Sequence, residues 1–221
     1  MMFLALIALV FINVPIAVAL GIVALVAMVA TSGPAVMPNL ALVLFDGATK
    51  FSLIAIPLFI LAGAIMNSSG ISRRLIAFAS ALFGFIRGGL AMVSIGTSLF
   101  FAEISGSAVA DVAALGSVLI PAMERKGYSK EFAAAVTSSS ATLAVIIPPS
   151  IPMILYAVMS GSSVVEVFVA GIIPGVVGGV LMMAVAYRFA VRHNYPVEQT
   201  FQLSRLWQTF KDASWSLLLP V

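Results

Sequence analysis

Between Gly88 and Met123 the chain carries only two charges, Glu103 and Asp111, and both flank a short polar turn, "ISGSA", inside an otherwise apolar run. A soluble domain carries about 25% charged residues. Here 9% are charged and 62% hydrophobic. So little charge cannot clothe a water-exposed surface, which leaves the bilayer as the solvent. In lipid every backbone polar group must be satisfied within its own segment, and helices do this. The expected fold class is an all-α polytopic membrane protein. A spanning helix needs about 20 apolar residues, so the chain has room for about five or six membrane elements. Cysteine is absent, which excludes disulfides and thiolate metal sites, and the single His193 cannot form a histidine cluster. The net charge of +3 is scattered rather than blocked, so nucleic-acid binding has no support. The apolar N-terminus lacks a basic leader and a small-residue cleavage end, and is expected to be a retained helix.

Breaks in the hydrophobic pattern divide the chain. Residues 1–68 hold the first membrane helices. Within 2–30 Pro15 interrupts the run, giving either one kinked helix or two elements meeting near Asn13. "TSGPAVMPN" (31–39) reads as a loop, and a span beginning near Leu40 is expected to kink at Pro57. Residues 69–87 form a cytoplasmic interfacial segment, whose apolar part, 75–86, has 12 residues. At about 18 Å it is too short to cross a core of about 30 Å. Residues 88–123 are expected to fold back at the polar turn as two half-length helices. Residues 124–158 contain a transmembrane helix broken at "IIPPSIP", and 159–190 a glycine-rich span in which "GVVGG" marks a close helix contact. Residues 191–221 hold an amphipathic helix with Leu203, Leu206, Trp207 and Phe210 at helical spacing, suited to the membrane interface.

A hairpin at 88–123 has a consequence for charge. With single crossings at 40–68, 132–158 and 167–187, Arg73, Arg74, Arg87, Arg125, Lys126, Lys130, Arg188, Arg192, Arg205 and Lys211 fall on one side, ten of the eleven basic residues, with only Lys50 opposite. By the positive-inside rule the loops 69–87, 124–131 and 188–216 are then cytoplasmic. A full crossing at 88–123 would divide these charges between the faces.

Irregular backbone at membrane depth is tolerated only where protein or a wet cavity covers it. Two such breaks, at 104–108 and 147–152, lie close in sequence. Discontinuous helices expose carbonyls that suit a cation such as Na⁺ and N-termini that suit a carboxylate. Ser105 and Ser107 add hydroxyl oxygens, Gly106 permits a sharp turn, and Asp111 falls in the first turn of the second half-helix. Against this, serines in membrane helices often only cap carbonyls or allow close contact, and Glu103 can be paired structurally.

The runs "AIPLFILAGAIMNSSGISRRL", "ISGSAVADVAALGSVLIPAMERKGY" and "SSSATLAVIIPPSIPMILYA" resemble the large membrane subunit of tripartite ATP-independent periplasmic (TRAP) transporters, its N-terminal half, from the N-terminus to about Tyr187. The resemblance implies a Na⁺-coupled secondary transporter of the bacterial inner membrane. Such a transporter takes a carboxylate-bearing organic solute (a C4-dicarboxylate, sialic acid, keto acid or sugar acid) from a periplasmic substrate-binding protein. It implies a small four-helix membrane subunit as partner, and an elevator-type fold of two inverted repeats, each with a re-entrant hairpin and a broken helix. Carried over by motif, Ser105, Gly106, Ser107 and Ala108 at the hairpin tip and Ile147, Pro148 and Pro149 in the broken helix form one Na⁺ site. Asp111, Thr142 and Ser150 are candidates for the adjoining substrate cavity. No second copy of the hairpin-and-proline pattern lies within the 221 residues, so the C-terminal inverted repeat is expected to be absent from this chain, with "SWSLLLPV" standing where its first helix should start; the chain is then either a fragment or one of two separate polypeptides.

Two other functions compete. An intramembrane hydrolase with Ser105 or Ser107 as nucleophile lacks a nearby base, since His193 falls in a loop and no lysine lies beside the serines. A non-transporting assembly subunit would fit a half-length chain. The reading of the residues as a whole is therefore a transporter and no enzyme.

Overall fold

A computed structural model describes the backbone of residues 2–217 and their side chains, except those of Val36, Asn39, Met66, Asn67, Ser68, Ser72, Ile104, Ser105, Trp215, Ser216 and Leu217. The described residues form α-helices and short 3-10 turns and divide into two compact units, Met1–Phe51 and Ser52–Val221. Much of "SWSLLLPV" lies outside the described residues.

In the first unit the interruption at Pro15 makes two helices, α1 (Met2–Phe11) and α2 (Ile16–Ser32). Asn13 takes the left-handed conformation, φ 66°, between them. Pro15 caps α2, where a missing N–H costs nothing. The expected loop at 31–39 shrinks to one hinge. Gly33 (φ 77°) ends α2, a 3-10 turn spans Pro34–Val36, and α3 (Met37–Ala48) follows. Pro38 sits in the first turn of α3, which needs no donor.

The second unit opens with α4 (Ala55–Ser68), preceded by a 3-10 turn at Phe51–Ile54. The expected kink at Pro57 is not there. Pro57 lies in the first turn of α4, so its ring meets no preceding helical carbonyl, and the helical run breaks instead at 49–50. Then come α5 (Ile71–Phe83), α6 (Gly89–Ser105), α7 (Ala108–Arg125), α8 (Lys130–Ala141), the single turn α9 (Leu143–Ile146), α10 (Ile151–Ser160), α11 (Val164–Arg192) and α12 (Leu203–Leu217).

Helix α6 is the centre of this unit, and every residue from Ala91 to Ser98 is buried. A helix with apolar residues on more than one side belongs in such a place. One side of α6 packs Val93 and Phe101 with Leu75 and Phe78 of α5 and Leu115 and Leu119 of α7, a cluster that Ala213 of α12 closes. Its other side packs Met92, Ile95 and Ala102 with Leu143 and Ala144 of α9, Ile147, and Ala186 and Ala190 of α11. The rest of α6 is hydroxylated: Ser94 Oγ lies 3.4 Å from Thr137 Oγ1, and Ser98 Oγ 2.9 Å from Ser140 Oγ, both across to α8. Interhelical hydroxyl pairs of this kind hold helices together where lipid offers no hydrophobic drive.

Helix α11 carries its bulk outward. Gly171, Gly175 and Gly179 are buried, while Val169, Ile173, Val176, Val180 and Leu181 are exposed. A side chain at Gly175 would run into Ile147, and one at Gly179 would come within 2.7 Å of Leu99. Small residues inside and large apolar residues outside are the pattern of a helix that faces lipid. Two helical stretches, 130–160 and 164–192, are long and apolar enough to cross a membrane. With these apolar helices the chain is an all-α membrane protein. Helix α5, by contrast, has 13 residues, about 20 Å. Helix α12 docks on it through Phe210, whose ring centroid lies 5.7 Å from that of Phe78.

Candidate functional site

The site begins with a glycine. α6 ends at Ser105, and Gly106 turns the chain with φ 56°. Ser107, extended at φ −136°, starts α7 as its N-cap, its hydroxyl accepting from the Ala110 amide at 3.5 Å. Glycine alone enters the left-handed region without a Cβ penalty. The two helices pack against each other, so 89–125 is a helical hairpin with Gly106 at its tip.

The second break forms for a different reason. Residues that precede proline are pushed towards extended backbone, and Ile147 (φ −84°, ψ 129°) obeys ahead of Pro148. Ser150 is extended as well (φ −125°, ψ 131°), and α10 begins after it with Pro152 in its first turn. The Ser150 hydroxyl donates to the Val145 carbonyl at 2.7 Å, holding the last turn before the break to the first residue after it.

These two breaks touch. A Cβ on Gly106 would lie 2.8 Å from the Pro149 carbonyl oxygen and 3.5 Å from Ile151 N and Ser150 Cα. Four helix ends therefore converge: the C-terminal ends of α6 and α9 and the N-terminal ends of α7 and α10. The C-terminal ends present carbonyls with partial negative charge, and the N-terminal ends present N–H groups with partial positive charge. Beside this junction is a cavity of 370 Å³, lined by Ile60, Gly63 and Ala64 of α4, Phe101, Ser107, Ala110 and Ile151. Ser107 and Ile151 belong to the starts of α7 and α10, so both helix N-termini border it.

The residues singled out from sequence divide accordingly. Gly106, Pro149 and Ser150 meet directly, and Ser107 lines the cavity. Ala108 and Pro148 are half-buried at the junction, and Ile147 is buried with its side chain against Gly175. The side chain of Ser105 lies outside the described residues. Of the three substrate-cavity candidates, none lines the 370 Å³ cavity. Asp111 is fully buried one turn into α7, its amide donating to the Ser107 carbonyl at 3.1 Å. Thr142 is exposed, and its hydroxyl donates to the Ser139 carbonyl at 2.6 Å. Ser150 is fully buried and bonded to Val145. Sequence reasoning missed the α4 wall and the hydroxyl ladder between α6 and α8. The wall had a faint signal, the small run Ala62–Gly63–Ala64 between bulky apolar residues of α4. The ladder had a clearer one, Ser94 and Ser98 four apart on α6 and Thr137 and Ser140 three apart on α8.

The profile of the family described as "Tripartite ATP-independent periplasmic transporter, DctM component" matches residues 3–221. The C4-dicarboxylate TRAP transporter large permease protein DctM of Vibrio cholerae is 38% identical over 100% of this chain and 49% of its own length. The 2,3-diketo-L-gulonate TRAP transporter large permease protein YiaN of Escherichia coli is 42% identical over 82% of this chain and 43% of its own. The sialic acid TRAP transporter permease protein SiaT of Haemophilus influenzae is 40% identical over 78% of this chain and 28% of its own. The chain thus spans about half the length, or less, of the curated relatives it matches.

Proposed function

The chain belongs to the DctM family of tripartite ATP-independent periplasmic transporter components, corresponding to the N-terminal part of the large permease, and from that premise we propose that it supplies half of a Na⁺-coupled site for secondary transport of an organic acid. Its relatives are transporter permeases, not enzymes. One observation carries the reading: the hairpin tip at Gly106 sits on the Pro149 carbonyl, which gathers four helix ends at one point.

In this reading Na⁺ is cargo, not a resident cofactor. The carbonyls at the ends of α6 and α9, with those of Gly106, Ala108, Pro148 and Pro149 nearby, offer hard oxygen ligands. Proteins bind hard cations through such groups. The Ser105 and Ser107 hydroxyls extend that set. A carboxylate on the solute is drawn to the starts of α7 and α10, where N–H groups point outward. The α4 side of the cavity is apolar and fits the carbon skeleton of the solute. The relatives' printed substrates, C4-dicarboxylate, 2,3-diketo-L-gulonate and sialic acid, have in common an acidic group of the kind these helix ends attract. Which of these solutes this chain serves depends on residues lining the rest of the cavity.

Sidedness follows from charge. Arg87 and Lys126 lie at the two ends of the hairpin away from its tip, and Arg188 and Arg192 lie in the last turns of α11. Arg87 donates to Asn194 Oδ1 at 3.4 Å and Lys126 pairs with Glu198 at 3.0 Å, so these termini meet at one end of the unit. That end is cytoplasmic by the positive-inside rule. The hairpin is then re-entrant in the bacterial inner membrane. Hairpin and broken helix form the moving body of an elevator, completed by a second inverted repeat, a small four-helix subunit and a periplasmic binding protein.

The test is Na⁺-dependent uptake of organic acids by the full-length permease in proteoliposomes, with solute delivered by its cognate binding protein. Uptake that ignores a Na⁺ gradient for every acid tried sinks the coupling. An assembly subunit, the competing reading, keeps its role when Ser107 and Pro149 are replaced.

A further inference from the structure

The base of the hairpin, far from its tip, carries an ion pair that the transport reading does not use. Glu198 lies in the segment that follows α11, and its carboxylate Oε2 is 3.0 Å from Lys126 Nζ, just past the end of α7. The two partners are unequal: the Glu198 side chain is 8% exposed and that of Lys126 is 56% exposed. The other carboxylate oxygen, Oε1, is buried with no hydrogen-bond partner among the described residues. Glu198 also packs against the start of α6, where a Cβ on Gly89 would lie 3.0 Å from its Cγ. A carboxylate there meets the positive end of the α6 dipole.

The backbone around it joins the same parts. Gly88 N donates to the Pro196 carbonyl at 3.1 Å, and Glu198 N and Gln199 N both donate to the Gly84 carbonyl at 3.2 Å. Gln199 Nε2 donates to Ser80 Oγ at 3.0 Å, and Ser129 N donates to Tyr195 Oη at 3.3 Å. Tyr128 and Tyr195 stack with centroids 4.3 Å apart. Burial pushes the Tyr128 hydroxyl up to about 12, the Leu90 backbone opposes this, and the neighbouring Glu198 carboxylate adds to it.

We propose that Glu198 is the latch of the hairpin base: through Lys126 and the start of α6 it locks both legs of the hairpin to the segment after α11, so that these parts move as one body. A half-satisfied buried carboxylate is a costly feature to keep in a fold. Its bond to Lys126 is the side-chain contact that ties the α7 leg into the backbone bonds around the base. The asymmetry of exposure predicts an asymmetry of damage. Removing Lys126 strands a buried charge, whereas removing Glu198 leaves an ammonium that water can solvate. The inference concerns motion and not cargo, so a failed uptake assay leaves it standing.

The test is hydrogen exchange on the intact membrane protein in lipid nanodiscs, comparing wild type with Lys126→Ala, Lys126→Arg and Glu198→Gln. Lys126→Ala is expected to speed exchange at Gly88, Glu198, Gln199 and Ser129 together by about tenfold, the effect of losing about 1.4 kcal/mol. Lys126→Arg is expected to keep wild-type rates, and Glu198→Gln to fall between. Faster exchange confined to 124–130 overturns the latch. So does an arginine variant that opens as far as the alanine, or an equal rise along α11, which would mean that Lys126 merely supports the whole fold.

Discussion

Replacing Gly106 with alanine separates what the tip does from what any glycine turn does. Two costs arise. Residue 106 sits at φ 56°, where a Cβ costs about 1–2 kcal/mol. The new methyl would also stand 2.8 Å from the Pro149 carbonyl oxygen, and backbone on that side cannot turn aside as a side chain would. Overpacking of this kind costs about 1–3 kcal/mol. Gly161 is the control. Its φ is 69°, but none of the described residues lies within 4 Å of a Cβ placed there, so Gly161→Ala incurs only the conformational term. The difference between the variants, about 1–3 kcal/mol, isolates the contact between tip and break. If Na⁺ binding demands this contact and the ion-free tip relaxes away from it, the difference falls on the bound state alone and weakens apparent Na⁺ affinity, read as Na⁺-dependent thermal stabilisation of the full-length permease, by about 5–150-fold in Gly106→Ala relative to Gly161→Ala. The reasoning is refuted if the two variants respond to Na⁺ alike. In that case the tip does not need to rest on the Pro149 carbonyl for the ion to bind.

Four further outcomes follow from other parts of the molecule. Ser98→Ala leaves Ser140 without its cross-helix partner and is expected to destabilise by about 1 kcal/mol, while the double variant with Ser140→Ala costs no more than the single. A denaturation cycle showing simple additivity would contradict that pairing. Gly175→Ala drives a methyl into Ile147 Cγ1 and is expected to lower thermal stability, while the double variant with Ile147→Ala, which removes that atom, is expected to cost less than the sum of the two single changes; simple additivity would place the strain elsewhere. The Tyr128 hydroxyl has a folded value of about 12 against an ordinary 10.0, so folding favours its protonated form. Its contribution is full below about pH 10 and lost as pH rises towards 12, with no change near neutrality; tyrosinate absorbance compared with Tyr128→Phe reads this directly. Finally, Trp207 of α12 is 58% exposed although it stacks on Phe210, and Leu203 on the same helix is exposed as well. Brominated lipid is expected to quench the fluorescence of a variant retaining only this tryptophan, and an unquenched signal would remove α12 from the membrane interface.

Local chemistry made several features readable from the sequence alone. Scarcity of charge determined the solvent and the helical class. Gly106 followed by Ser107 marked a helix stop and a helix cap, since each residue has a backbone preference that its neighbours cannot overrule. Pro148 and Pro149 marked a break by removing donors and by forcing Ile147 extended. Prolines are legible only when their place in the helix is known. Pro57 and Pro38 looked like interruptions and proved to lie in first turns, where no hydrogen bond is lost.

Tertiary structure decided everything that depends on which distant residues meet. That Gly106 rests on Pro149 is a contact between segments some forty residues apart, set by how α6 is enclosed by α5, α7, α8, α9 and α11. Sequence gave Asp111, Thr142 and Ser150 an appearance of equal standing as cavity residues. Packing buried the first and third and turned the second outward, because the register of each helix is fixed by its apolar and small residues and its polar ones follow. The same register placed the carboxylate of Glu198 at the foot of the hairpin, in a stretch with no periodic pattern to announce it. Backbone preference is local and can be read along the chain, whereas the meeting of side chains depends on three-dimensional register and appears only once the helices are packed.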